Sequence, residues 1–175
     1  MPQIKIGRRL VGDGQPTYVI AEAGSNHNRS LKTAKNLIEV AKSSGADAVK
    51  FQTYSADTLY SKKTPTPNYL KKLTSKTLHQ IIKDIELPRE FQGELSDYCK
   101  QEGIQFLSPP FDYAAVDELA ALGVPAFKIA SFEIVHLPLL RLVASQKMPI
   151  LLSTGMASLG DIEDVIDDLK REAHL

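Results

Sequence analysis

Short apolar runs that end in small or polar residues recur along the chain, and an amphipathic stretch follows each. The runs are YVIAEAG (Tyr18–Gly24), DAVKFQT (Asp47–Thr53), GIQFLSPP (Gly103–Pro110), AFKIAS (Ala126–Ser131) and PILLSTG (Pro149–Gly155). They are almost continuously hydrophobic, as strands of a parallel sheet covered on both faces require. Between them, Ala34, Leu37, Ile38 and Ala41 recur at i, i+3, i+4 and i+7, the spacing of one helix face. Phe91, Leu95, Tyr98 and Cys99 follow less strictly, then Val116, Leu119 and Ala120, then Ile162, Val165, Ile166 and Leu169 with Ser158 placed to cap. Gly45, Gly103 and Gly123 sit where helices should end, each just ahead of a strand.

Strands alternating with helices in this way predict parallel βαβ units, an α/β fold. The start, QIKIGRRLVGDGQP, reads differently, as a small hairpin built on Ile4, Ile6 and Val11 around Gly7 and Gly12–Gly14. One connection is unusual: residues 54–87 are long and polar, with SKKTPTPNYLKK (Ser61–Lys72) ahead of a weaker helical stretch at Leu78–Ile85. Long connections in compact domains tend to carry function.

Composition narrows the picture. At 175 residues and 43% hydrophobic content the chain can bury the core of one domain, residues 1–175. Lys+Arg and Asp+Glu both number 21, so no net field points to nucleic acid or to a membrane. No run of about 18 apolar residues is present, and MPQIKIGRRL lacks the apolar core of a signal peptide. Cys99 is alone, which excludes a disulfide framework and a cysteine metal site. The expectation is a soluble, cytoplasmic protein.

Glu22, Lys50, Gln52, Ser108, Lys128, Ser131 and Ser153 all fall at or just past the C-terminal ends of predicted parallel strands. Active sites of parallel α/β folds lie at that end. A lysine such as Lys50 or Lys128, taken singly, is most often a surface side chain whose stem covers apolar neighbours. The convergence of the whole set at one rim favours a site. Its chemistry is anion handling: two lysines from separate strands, with the Ser131 and Ser153 hydroxyls, suit a phosphate or carboxylate. Gly155 and the helix start near Ser158 add backbone N–H donors. Glu22 and Glu133 flank this basic pocket; a carboxylate there suits a base, a proton shuttle or a grip on a neutral second substrate.

IAEAGSNHNRSLKTAKNLIEVAKSSGADAVKFQTYSADTL, FLSPPFD, FKIASFEIVHLPLL and PILLSTGM resemble, in order, the sialic acid synthase family. That family comprises the N-acetylneuraminate, legionaminate and pseudaminate synthases. The resemblance runs from about Tyr18 to Ile166. It implies a (β/α)8 TIM-type barrel that condenses phosphoenolpyruvate with the open-chain aldehyde of an N-acetylated amino sugar, releasing phosphate by C–O cleavage. Carried over by motif, Lys50, Lys128, Ser131 and Ser153 hold phosphoenolpyruvate. Glu22 lies near the sugar or a metal-bound water, Glu133 near the carbon that becomes cationic, and Gln52 on the same rim. Asn68 matches an asparagine that contacts the sugar.

The resemblance also implies a divalent metal, manganese or magnesium, held by histidines on later strands. His27 is therefore assigned a loop-ordering hydrogen bond, His79 and His174 are read as surface residues, and His136 as a helix start. Arg29 stands where the family pattern usually has glycine, and Phe132 where many N-acetylneuraminate synthases carry a small residue; a phenylalanine there resembles the legionaminate and pseudaminate synthases. A full barrel takes about 250 residues, and five strands are counted in this sequence. The expectation is an incomplete barrel of about five βα units: the N-terminal part of the catalytic domain, inactive alone and prone to form homo-oligomers through exposed strand edges. The metal histidines and a C-terminal antifreeze-like domain fall outside these residues. Two other readings stay open: a Schiff-base aldolase using Lys128 or Lys50, and a non-catalytic phosphate-binding or assembly module.

Overall fold

The computed structural model describes residues 3–173; His174 lies outside them. The chain opens with an antiparallel hairpin, β1 (Ile4–Ile6) and β2 (Arg9–Val11). Then come β3 (Ile20–Glu22), α1 (Leu31–Ser43) and β4 (Ala48–Lys50), followed by α2 (Ala56–Leu59), α3 (Asn68–Lys71) and α4 (Leu78–Ile85). The chain continues through α5 (Phe91–Glu102), β5 (Gln105–Leu107), α6 (Tyr113–Leu122) and β6 (Phe127–Ile129). A 3-10 turn (Glu133–Val135), α7 (Leu137–Ser145), β7 (Ile150–Leu152) and α8 (Leu159–Ala173) complete it. The fold is α/β: β3, β4 and β5 pair in parallel, as do β6 and β7. The five apolar runs all become parallel strands, but in two ladders; no named ladder joins β5 to β6 among the described residues.

Alternate strand residues divide between two clusters, as the period of a pleated strand demands. Val49, Phe51, Phe106, Phe127 and Ile129 face the helices and pack with Ile38, Leu95, Leu119, Leu139 and Val143. Each such side chain contributes about 1.5–3 kcal/mol when buried. The other face buries Ala48, Leu107 and Ala126 with Ile6, which the hairpin delivers, and with Ile20, Tyr18 and Leu151 at its margin. Gly7, at φ +58, lets the hairpin turn press against Gln105, where a Cβ would lie 2.9 Å from the amide. The flanking strands β3 and β7 are more open than β4 and β6, and each has one ladder neighbour among the described residues.

Helix boundaries follow local chemistry. Ser30 accepts from the Thr33 N–H at 3.2 Å to start α1, Asp112 accepts from Ala115 N–H at 2.7 Å to start α6, and Ser158 with Asp161 forms a reciprocal cap on α8. Gly103 and Gly123 end α5 and α6 in the left-handed conformation. The connection after β4 holds two short helices, α2 and α3, besides the anticipated α4. Its ends are tied by Glu86, whose carboxylate accepts the Ala56 N–H at 2.9 Å and pairs with Lys83 and Arg29. No helix of the described residues is long and apolar enough to cross a membrane.

Candidate active site

Register places the first two groups. Glu22 and Lys50 end β3 and β4 as direct ladder partners and form an ion pair, with 52% of the Glu22 side chain exposed and 13% of that of Lys50. The N–H groups of Ala23 and Gly24 both donate to the Lys50 carbonyl, at 2.9 and 3.0 Å, which turns the chain sharply after Glu22. Gly24 takes φ +52 there, and a Cβ would approach Glu22 Oε1 to 3.1 Å, so glycine leaves the carboxylate its room.

β6 supplies the second lysine. Lys128 stands between buried Phe127 and Ile129. Its ammonium donates to the Ile129 carbonyl at 2.7 Å and to the Ser153 hydroxyl, which β7 delivers. Burial lowers the Lys128 pKa first; the nearby Lys50 charge lowers it further, and Glu22 opposes both. The three ionisable groups therefore share one field. Two cations face one carboxylate, and Lys128 is a partly desolvated ammonium whose hydrogen-bond acceptors among the described residues, the Ile129 carbonyl and the Ser153 hydroxyl, are both neutral oxygens. An anion placed there would restore the charged state that burial disfavours.

The remaining predicted residues divide. Glu133 is buried at the start of the 3-10 turn beyond β6, its Oε2 at 3.2 Å from His136 Nδ1. Ser131 is half-buried in the same turn, its hydroxyl without a protein hydrogen bond among the described residues. Gln52 Oε1 accepts a long hydrogen bond, 3.5 Å, from Ser25, whose hydroxyl lies 2.8 Å from the Tyr54 hydroxyl. Asn68 is exposed at the first position of α3 and makes no side-chain hydrogen bond to this group among the described residues. Ser108 does not open onto the site: fully buried, it is 2.7 Å from Thr53 Oγ1 and locks the ends of β4 and β5 together. Side-chain alternation carries it away from Lys50 and Gln52, which strand-end position alone did not reveal.

Of the three described histidines, two follow their readings and one does not. His27 is buried, its Nδ1 accepts from the Arg29 N–H at 3.0 Å, and burial, then the Arg29 charge, hold its pKa below the ordinary value. His136 precedes α7 with its ring against Glu133. His79 is only 18% exposed and pairs with Asp57 at 3.1 Å, so it is not a free surface residue. Cys99 is buried, and burial pushes its thiol up to about 12, which removes it as a nucleophile. Among the described residues no three His, Cys, Asp or Glu side chains are grouped to hold a cation, so Glu22 and its neighbours do not by themselves fit a metal.

Sequence reasoning singled out Phe132 in a second tier but passed over the ring contacts that join it to Phe111 and Tyr54. Ser25 after β3, Tyr54 after β4, Phe111 after β5 and Phe132 after β6 form a chain around the rim in strand order. Tyr54 meets Phe111 edge-on at 5.7 Å, and Phe111 meets Phe132 at 5.5 Å. Their signal was position: each lies a few residues beyond a strand end.

The model of the NeuB family matches residues 37–174. The chain belongs to the NeuB family. A NeuB-family relative, the N,N'-diacetyllegionaminic acid synthase of Legionella pneumophila, is 44% identical over 161 residues, covering 91% of this chain and 45% of its own length. The chain spans about half the length of the curated relatives it matches. The structure of spore coat polysaccharide biosynthesis protein SpsE from Bacillus subtilis superimposes with a TM-score of 0.80 at 37% identity, over 98% of this chain and 45% of that one. The N-acetylneuraminic acid (sialic acid) synthetase of Leptospira borgpetersenii, solved with citrate, gives 0.85 at 29% identity, over 98% and 56%. A truncated 3-deoxy-D-arabino-heptulosonate 7-phosphate synthase from Thermotoga maritima, only 12% identical, shares the fold at 0.68, over 98% and 52%. The α/β fold of this NeuB-family chain thus has neighbours of TIM-barrel type.

Proposed function

We propose that this chain forms the phosphoenolpyruvate-binding side of a site that joins phosphoenolpyruvate to an N-acetylated amino sugar, yielding a nonulosonic acid and phosphate. The observation that carries the reading is Lys128, desolvated and held by Ser153 next to the Lys50–Glu22 pair. Lys50 and Lys128 take the phosphate and carboxylate, with the Ser131 and Ser153 hydroxyls as further donors. C3 of phosphoenolpyruvate bonds to the sugar's aldehyde carbon, whose oxygen gains a proton. Water adds at C2, and the C2–O bond to phosphate breaks with the electron pair leaving on phosphate. Glu22, the more exposed carboxylate, serves the sugar side as base. Glu133, buried in the turn beyond Lys128, offsets positive charge at C2. Gln52 and Asn68 belong to the sugar side. A divalent manganese or magnesium ion would supply Lewis acidity at the aldehyde, but the described residues do not group to hold it and no step here runs through it.

In this reading β3–β7 are five successive barrel strands, inactive alone. Further strands, from the part of its relatives' length that the chain does not span, would close the opposite wall. Association between copies would cover the half-exposed faces of β3 and β7. No nucleic acid or membrane takes part. The desolvated Lys128 would equally suit a Schiff-base aldolase, because a depressed lysine pKa favours the neutral amine. One experiment separates the two. The full-length protein is given phosphoenolpyruvate labelled in its bridging oxygen together with an N-acetylated amino sugar. The label should leave in phosphate, and borohydride should trap no lysine adduct. A reduced lysine adduct, or sugar-independent phosphate release, would overturn the proposal.

A further inference from the structure

The two tiers at the strand ends differ in chemistry. The lower tier, Glu22, Lys50, Lys128 and Ser153, is charged and hydrogen-bonding. The upper tier runs Ser25–Tyr54–Phe111–Phe132 and becomes wholly apolar at its β6 end. Tyr54 and Phe111 are buried, whereas Phe132 leaves 41% of its surface in water while lying between Ser131 and Glu133. The ring is nonetheless fixed, because Phe111 backs it and Tyr54 backs Phe111. A braced, partly exposed aromatic ring, three residues beyond the end of β6 and flanked by Ser131 and Glu133, suits a ligand with an anionic end and an apolar face.

We infer that Phe132 is a specificity-determining residue whose ring, braced by Phe111 and Tyr54, takes the apolar face of the amino sugar: its C–H ring face and the methyl of its N-acyl group. This rests on the proposed reaction and names which part of the second substrate the rim selects. Phosphoenolpyruvate, small and anionic, stays on the lysine floor. Removing the ring therefore acts on the sugar and spares the anion. A missing apolar contact in such a pocket changes discrimination by about 10–200-fold.

These 175 residues contain no tryptophan, so Phe132→Trp places their one indole at the proposed contact. Titrating the full-length protein carrying this substitution, with the unsubstituted full-length protein as blank, with N-acetylmannosamine and separately with a 2,4-diacetamido hexose should give a saturable difference in emission with at least one of them. Phosphoenolpyruvate alone should leave emission unchanged. In the full-length protein, Phe132→Ala should raise the KM for the sugar at least about tenfold while that for phosphoenolpyruvate stays within about twofold. Phe132→Tyr, which keeps the ring, should restore the sugar KM. No emission change with either sugar, or a Phe132→Ala variant that loses thermal stability and keeps its sugar KM, would overturn the inference. Loss of phosphoenolpyruvate binding in the parent protein would instead count against the underlying reaction.

Discussion

Glu22 and Lys50 are ladder partners and ion-pair partners at once: the register that sets β3 against β4 also sets the carboxylate against the ammonium. The geometry of this charged pair is a consequence of strand pairing. A one-residue slip would send Glu22 to the helix-packed face and dismantle the pair.

Replacing Lys50 or Lys128 with Ala should mainly weaken phosphoenolpyruvate binding in the full-length protein. Losing a hydrogen-bonded charge partner at such a site costs about 2–5 kcal/mol. Calorimetric titration should show the loss in both variants, and unchanged affinity in both would remove these lysines from the site.

Glu22→Gln keeps shape and hydrogen bonding but removes the base. Because Glu22 is half exposed at a strand end, its neutralisation should leave the melting temperature nearly unchanged while turnover falls by about 100-fold or more. Wild-type turnover would reduce Glu22 to a partner of Lys50.

The Lys128 pKa lies below the ordinary 10.5, through burial and then through Lys50. Between the folded value and 10.5 the folded state binds fewer protons than the unfolded one, so this residue's contribution to stability rises with pH across that window. Anion affinity runs the opposite way, because the ligand needs the ammonium. Affinity for phosphoenolpyruvate should begin to fall at a pH below 10.5, and Lys128→Arg should abolish that early fall. A profile shared by both proteins would refute the assignment.

His27 is held neutral by burial and by Arg29, its pKa below the ordinary 6.5. The unfolded chain therefore takes up protons first: stability falls as pH drops through 6.5 and levels off below the folded value. Carboxylates held low, such as Glu86, lose their contribution only at more acid pH, as it falls below the ordinary 4.5 towards their folded value. Urea unfolding of wild type and His27→Gln at about pH 7.5 and about pH 5.5 should show the larger acid loss in wild type. Equal losses would mean that His27 does not titrate on unfolding.

Arg29 occupies the left-handed region, φ +54, which favours glycine, and its guanidinium donates to the Lys83 carbonyl at 2.9 Å and reaches the Glu86 carboxylate at 3.3 Å. Arg29→Gly relieves about 1–2 kcal/mol of backbone strain but releases α4 from the first loop. Global stability should change by less than about 1 kcal/mol, while limited proteolysis of the 54–87 connection accelerates. Unaltered proteolysis would show that Arg29 is not the tether.

Much of this molecule was legible in its sequence because the signals are local. A run such as Asp47–Thr53, too short for a buried helix and preceded by Gly45, reads as a strand, and Ala34, Leu37, Ile38 and Ala41 share a face on a helix. The caps at Ser158, Gly103 and Gly123 depend on their own side chains or lack of one. Strand polarity then carried Lys50 and Lys128 to one end. What the sequence could not decide depends on groups far apart along the chain. Ser108 lies at a strand end like Ser153, yet side-chain alternation and Thr53 bury one while β6 brings Lys128 to the other. Lys128 is chemically unlike an ordinary lysine only because the fold partly buries it and brings Lys50 close. The braced ring of Phe132 exists only where three βα turns meet. Periodicity and capping are properties of neighbours in sequence; field, burial and ring contact are properties of neighbours in space.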